Sequence, residues 1–271
     1  MSTQRPPINP QPPGDEVSRL EAFWEQRYQT FSLSESGWAG AGDTHNTLIY
    51  RCKAAAVEGA LSAIGVRQDV PFAVLDAGCG QGYFADFYTR RYPLAAYTGL
   101  DVSARAVAHL AATRPAGTFV HGELSRWQPA DGGRFDVIQS LEVFHLILDD
   151  ALVEAALANF RRLLAPGGHA LVTAALPERT TERGGYLRFR SRRRFTTMLD
   201  RAGLAITREA PMYYWLPDRG PSWSVTRPVF HRAPSMLLYA LDRVALRLRL
   251  PRVPTGHDSR MRLLTLAAAP C

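Results

Sequence analysis

Short apolar runs alternate with helix-length segments through the middle of the chain. Residues 72–75 form a continuous apolar run, entered by Pro71 and left through Asp76 into a glycine cluster. Further runs lie at 96–100, 118–120, 135–140 and 170–174, and segments of helical spacing lie between them at 84–91, 104–113 and 151–164. Runs that are apolar throughout fit parallel strands buried on both faces. Their alternation with helices predicts an open α/β sheet with right-handed crossovers. The stretch Leu164-Ala165-Pro166-Gly167-Gly168 reads as a helix stop followed by a turn. Beyond it, a helix is expected at 195–202, closed by Gly203, with strands at 204–215 and 262–268.

Two helices are expected ahead of the first strand. In 15–28, Leu20, Phe23, Trp24 and Tyr28 fall toward one side and Asp15 suits the N-cap. In 47–64, Leu48, Cys52, Ala55 and Ala56 share a face. The intervening 32–42 is rich in Gly and Ser and reads as a loop. Residues 1–14 are proline-rich and polar, which predicts a disordered tail and no secretory signal.

Composition narrows the picture. With 46% apolar and 21% charged residues in 271, the chain can bury a core, which excludes a mainly disordered, collagen-like or disulfide-stapled protein. No apolar run is long enough to span a bilayer. The formal charge is +7, and Lys53 is the one lysine among 32 basic residues. Either coding bias or an anionic partner accounts for that balance. Cys52, Cys79 and Cys271 are an odd, scattered set without a CxxC, which predicts reduced thiols, no metal site and a cytoplasmic setting.

The most informative stretch is Asp76-Ala77-Gly78-Cys79-Gly80-Gln81-Gly82, which follows the first strand and opens a helix. A glycine loop there lets backbone approach a ligand, and the helix start offers free N–H groups. The third glycine arrives one residue too early for a dinucleotide fingerprint. Asp76 stands where a carboxylate repels a pyrophosphate and faces a cation. Asp101 ends the second strand, where it can accept both hydroxyls of a ribose. An acid, a glycine loop and a second acid suit a ligand with a ribose and a positive charge but no phosphate. S-adenosylmethionine (SAM) is such a ligand.

Asp76 through Gly82, Asp101 and the turn Pro166-Gly167-Gly168 resemble the class I SAM-dependent methyltransferases. The resemblance implies a Rossmann-like α/β fold. Its sheet has seven strands with helices on both faces, and the last strand is antiparallel and inserted beside the sixth. It places Gly78, Gly80 and Gly82 near the methionine part of the cofactor, and Asp101, with Val102 beside it, at the ribose. The family's third strand usually ends in an Asp at the adenine; here Glu123, one methylene longer, stands there with Leu124. The implied organisation is a tail over 1–14, a helical lid over 15–70 and a cofactor-binding domain over 71–271 with an insertion at about 216–260.

Ser140 to His145 should line the place where donor meets acceptor, with Ser140 toward the cofactor and Glu142 toward the substrate. Many small-molecule members carry E-V-L-E-H here, whereas this chain has Glu142-Val143-Phe144-His145-Leu146, its His one residue early. His145 is the candidate base, because a hydroxyl acceptor must lose a proton and neutral imidazole can take it. The alternative is a histidine that caps the next helix or packs on the cofactor. Asp149 and Asp150 are both expected to cap the helix at 151. Tyr50 and Arg51 are candidates for the cofactor carboxylate. Trp38, Tyr213 and Tyr214 are candidates for the acceptor pocket, with core packing as the alternative.

Two further segments stay open. Residues 187–195 hold five arginines, read as a solvated helix face, a phosphate contact or an RNA contact. Residues 235–250 are amphipathic and suit packing on their own domain, pairing of two subunits or a peripheral membrane contact. The expected activity is methyl transfer from SAM to a small molecule, with a hydroxyl as first acceptor and a nitrogen as second. The alternatives are RNA methylation, for which no separate RNA-binding module is visible, and a catalytically silent SAM-fold protein that binds a partner. DNA is not expected as a partner, and the chain should be a monomer or homodimer.

Overall fold

The computed structural model describes residues 15–37, 42–212, 235–247 and 261–269. Trp38, Tyr213, Tyr214, Cys271, the tail at 1–14 and most of the expected insertion lie outside the described residues.

Nine strands and eight helices are described. Strands β1 (Phe72–Ala77), β2 (Ala95–Asp101), β3 (Thr118–His121), β4 (Phe135–Ser140), β5 (Leu164–Ala174), β8 (Leu204–Pro211) and β9 (Arg262–Ala268) form one seven-stranded sheet in the order β3-β2-β1-β4-β5-β9-β8. All neighbours pair in parallel except at β9, which runs antiparallel to both β5 and β8. Val74, Leu75, Val137, Ile138, Leu171 and Val172 are fully buried, as strands covered on both faces require. Helices α3 (Gly42–Ala63), α4 (Tyr83–Arg91), α5 (Ala104–Thr113), α6 (Asp150–Leu163) and α7 (Arg192–Arg201) complete the layers, and the core divides into two apolar clusters.

The expected last strand is observed at its full extent. Strand β5, by contrast, begins six residues before the expected 170, because Leu164 already pairs with Phe135 across an irregularity in the β4–β5 register. Two short elements were not expected: α2 (Leu33–Ser36) inside the glycine-serine stretch, and a hairpin of β6 (Thr181–Arg183) and β7 (Leu187–Phe189). Within the expected insertion, α8 (Ser235–Arg247) packs on α3.

At the N-terminus, α1 (Glu16–Arg27) is capped by the Asp15 side chain, which accepts from Ser18 N at 2.8 Å. Glu25 accepts from Ser103 Oγ at 2.8 Å and Arg105 N at 2.9 Å, tying one end of α1 to the start of α5. At the other end Glu16 accepts from the amides of Leu148 and Asp149, and Arg19 donates to Leu146 O at 3.0 Å. The helix therefore bridges the carboxyl ends of β2 and β4, and no residue in it is fully buried.

Candidate active site

The order of the strands reverses between β1 and β4, the place where open α/β sheets bind ligands at strand carboxyl ends. A cavity of about 110 Å³ opens there, lined by residues from both sides of the reversal.

One wall is the loop between β1 and α4. Gly78 N and Cys79 N both donate to Leu100 O, at 2.7 and 3.1 Å, and Gly80 N donates to Asp101 Oδ2 at 2.8 Å. The loop is thus strapped to the end of β2. Gly78 and Gly80 both have positive φ, and a Cβ on them would meet Val143 Cγ2 at 2.4 Å and Tyr28 Oη at 2.9 Å. Only glycine fits this cradle. Gly82, also at positive φ, lies off the cavity; it caps α4, where a Cβ would strike Leu110.

Both strand-end acids line the cavity and are nearly inaccessible. Tyr97 Oη donates to Asp76 Oδ2 at 2.7 Å and Gln139 Nε2 to Asp76 Oδ1 at 3.1 Å. Burial nevertheless outweighs these bonds and pushes the Asp76 carboxyl up to about 6. Asp101 accepts from Gly80 N and, at 2.9 Å, from Ser103 N, and it too is raised by burial. Neither carboxylate forms a salt bridge among the described residues. Buried anionic charge left without a counter-ion is the environment that a cationic ligand relieves. Each Asp101 oxygen takes one N–H and keeps a lone pair for a further donor.

Val102, Glu123 and Leu124 also line the cavity. The Glu123 carboxylate accepts from Ser125 N at 2.7 Å and from the Ser125 hydroxyl, which fixes it at the end of β3. Ser140 does not reach the cavity: its hydroxyl donates to Ala77 O at 3.0 Å and ties β4 to β1.

The opposite wall differs from expectation in two places. Arg51 is exposed and off the cavity, while Tyr50 lines it. The cation in the wall is Lys53, one helical turn beyond Tyr50 on α3. It is 5% exposed, with Nζ 4.6 Å from the centre of the Tyr50 ring and 3.8 Å from Glu142 Oε1. Helix periodicity turns positions 50 and 53 to one side and 51 away. The signal in the sequence was Lys53 itself, a lone lysine where every other basic residue is arginine.

The second difference concerns His145, which sits behind Glu142 and does not line the cavity. Its Nε2 is 3.9 Å from Glu142 Oε2, its ring stacks on Phe189 at 5.4 Å, and its Nδ1 is buried without a partner among the described residues. Burial lowers its pKa and favours neutral imidazole. Glu142 faces the cavity from a left-handed conformation, φ 61°, that Thr173 supports by accepting from Glu142 N at 2.6 Å. Such strain in a non-glycine residue concentrates at functional sites. Val17, Leu20 and Trp24 of α1 and Leu146 and Ile147 after β4 complete an apolar roof.

The arginine-rich segment is largely consumed within the fold. Arg190, 5% exposed, donates to Asp150 Oδ1 at 2.8 Å, to Phe144 O at 2.9 Å and to Ile147 O at 2.8 Å, pinning the loop that carries His145. Arg194 pairs with Asp150, Arg188 with Glu182 and Arg192 with Glu209. Asp149 alone caps α6, while Asp150 is taken up by the arginines.

A family model described as a methyltransferase domain matches residues 74–168. Trans-aconitate 2-methyltransferase of Rhodopseudomonas palustris is 30% identical over 117 residues, which cover 42% of this chain and 42% of that protein. Phthiotriol/phenolphthiotriol dimycocerosates methyltransferase 1 of Mycobacterium ulcerans is 36% identical over 107 residues, 38% of each. The alignments thus span about two-fifths of the length of these curated relatives. Magnesium protoporphyrin IX methyltransferase of Synechocystis, solved with bound SAM, shares the fold with a TM-score of 0.57 at 13% identity, over 94% of this chain and 98% of that one. Sheet order and glycine loop agree with the match over residues 74–168, about a third of the chain: that stretch is similar to a methyltransferase domain, and the sheet around it has the fold of a solved SAM-binding methyltransferase.

Proposed function

We propose that this chain transfers a methyl group from SAM to a small organic acceptor, most directly to a hydroxyl. The observation that carries the reading is the pair Asp76 and Asp101, buried beside the glycine loop with no salt-bridge partner among the described residues. When bound, SAM supplies a methyl group activated by its sulfonium charge.

The residues that would hold it fit its chemistry. Asp101 suits the ribose, and Glu123 and Leu124 suit the adenine. Gly78 and Gly80 offer bare backbone, and Asp76 offers negative charge. Lys53 replaces Arg51 as the cation for the cofactor's carboxylate, with Tyr50 beside it. Bridging two strand ends, α1 acts as a lid that excludes water. On the acceptor side Glu142 is the cavity-facing proton acceptor, and His145 is a positioning residue behind it. Most of the acceleration comes from holding the two reactants in line, with proton removal a smaller factor. The curated relatives are named for trans-aconitate and for phthiotriol dimycocerosates, which favours a small acceptor over RNA. The internal pairing of Arg188, Arg190, Arg192 and Arg194 favours the same choice.

Titration calorimetry of SAM against the wild type and Asp101→Ala tests the reading. The expected result is wild-type binding that weakens by about a hundredfold or more in the variant, as loss of charge-assisted hydrogen bonds in a buried site implies. Unchanged affinity in the variant overturns it.

A further inference from the structure

We propose that the outward face of α8 is a docking surface for an anionic lipid bilayer. Six large apolar side chains stand exposed among the described residues, and four of them lie on this one helix: Met236 at 57%, Leu237 at 51%, Leu241 at 43% and Val244 at 52%. Leu237, Leu241 and Val244 are spaced i, i+4 and i+7, so they form one stripe. The opposite face carries Asp242 and Ala245, which are buried, and half-buried Tyr239, which packs on the cluster built around α3. The helix thus buries a charge against its own domain and turns its aliphatic stripe outward. Packing alone gives the reverse arrangement. A concentrated exposed apolar patch marks an interaction surface.

Charge identifies the occupant. The sequence from 213 to 260 holds eight arginines, three aspartates, and neither glutamate nor lysine, so this fifth of the chain supplies +5 of the formal +7. Arg243 and Arg247 lie on α8 itself, and Arg249 and Arg252 follow it in sequence. Arginine beside an aliphatic stripe fits lipid acyl chains bordered by phosphate headgroups. A nucleic acid leaves the leucines unused, and a second copy of the chain brings the same positive charge against itself. No described helix is long and apolar enough to cross a membrane, so the contact is with the surface.

The test is flotation of the full chain with vesicles of phosphatidylcholine containing about 30% phosphatidylglycerol, beside vesicles of phosphatidylcholine alone, at about 0.1 and 0.5 M salt. The wild type is expected to float with the anionic vesicles at low salt, and to be released at high salt and from the neutral ones. The double variant Leu237→Glu/Leu241→Glu should partition at least about tenfold less while keeping the wild-type thermal midpoint. Leu241→Ser, which changes no charge, should fall between. The proposal is overturned if the wild type stays unbound. It also fails if the double variant floats equally well, or if the stripe proves to hold a dimer that the double variant dissociates. None of these outcomes depends on SAM binding, so the bilayer contact and the proposed activity stand or fall separately.

Discussion

The wall of the cavity formed by β1, its glycine loop and β2 is made of near neighbours. Asp76, the loop and Asp101 belong to one strand–helix–strand unit, and their contacts to Leu100 O and Gly80 N are backbone contacts inside it. The facing wall is gathered from separate parts of the chain: Lys53 on α3, Glu142 after β4, Trp24 on α1. The first wall offers backbone shape and two fixed charges. The second offers side chains whose direction depends on how distant elements pack. The family match at 74–168 covers the first wall and reaches Glu142, but leaves Lys53 and α1 outside it.

The largest effect that separates the walls is electrostatic. Folding raises the Asp76 pKa from its ordinary 3.8 to about 6, so the folded chain binds this proton more tightly than the unfolded one. Stability from this group is fully present below about pH 4 and is lost as pH rises through 6, by about 3 kcal/mol. Asp76→Asn should flatten that part of the unfolding profile and stabilise the cofactor-free protein at pH 7, while weakening SAM. Denaturant titrations across pH 4–7 measure this. An unchanged slope between wild type and variant removes Asp76 as the buried charge.

Next in size is Glu142→Gln, which should cut turnover of a hydroxyl acceptor about a hundredfold while leaving SAM affinity within about twofold. His145→Ala should cost about tenfold, since it acts through Glu142. If the histidine variant loses more than the glutamate variant, the proton goes to the imidazole and the assignment of that wall reverses.

The smallest contrast lies on α3. Lys53→Met should weaken SAM by about tenfold, the value of one charged contact, and Arg51→Met should change nothing measurable in calorimetry. Equal effects from both would show that neither cation faces the cofactor.

This division also explains what could be read ahead of the structure. The apolar runs located the central strands of the main sheet, because strands buried on both faces have to be apolar throughout, while the edge strands β3 and β8 keep exposed positions. Asp76 and Asp101 were legible because a strand end fixes where its last side chain stands. Periodicity could have chosen Lys53 over Arg51 only with the buried face of α3 known, and that face is set by packing on α2, α4, α8 and β9. His145 and Glu142 lie in a loop, and no periodicity tells which of them turns inward; the positive φ of Glu142 decides it. The arginines of 187–195 leave a solvated face, a phosphate contact and an RNA contact all open in the sequence, because nothing there shows that Arg190 reaches two carbonyls and Asp150 from inside the fold. The stripe on α8 was visible in the sequence, but its outward direction was not.

The solitary lysine has a practical consequence. Its ammonium is the sole side-chain amine in the protein, so isotope-labelled lysine places one reporter in the cavity and none elsewhere. A nuclear resonance from that position can follow cofactor entry, acceptor entry and product release in the unmodified chain, before any acceptor has been named.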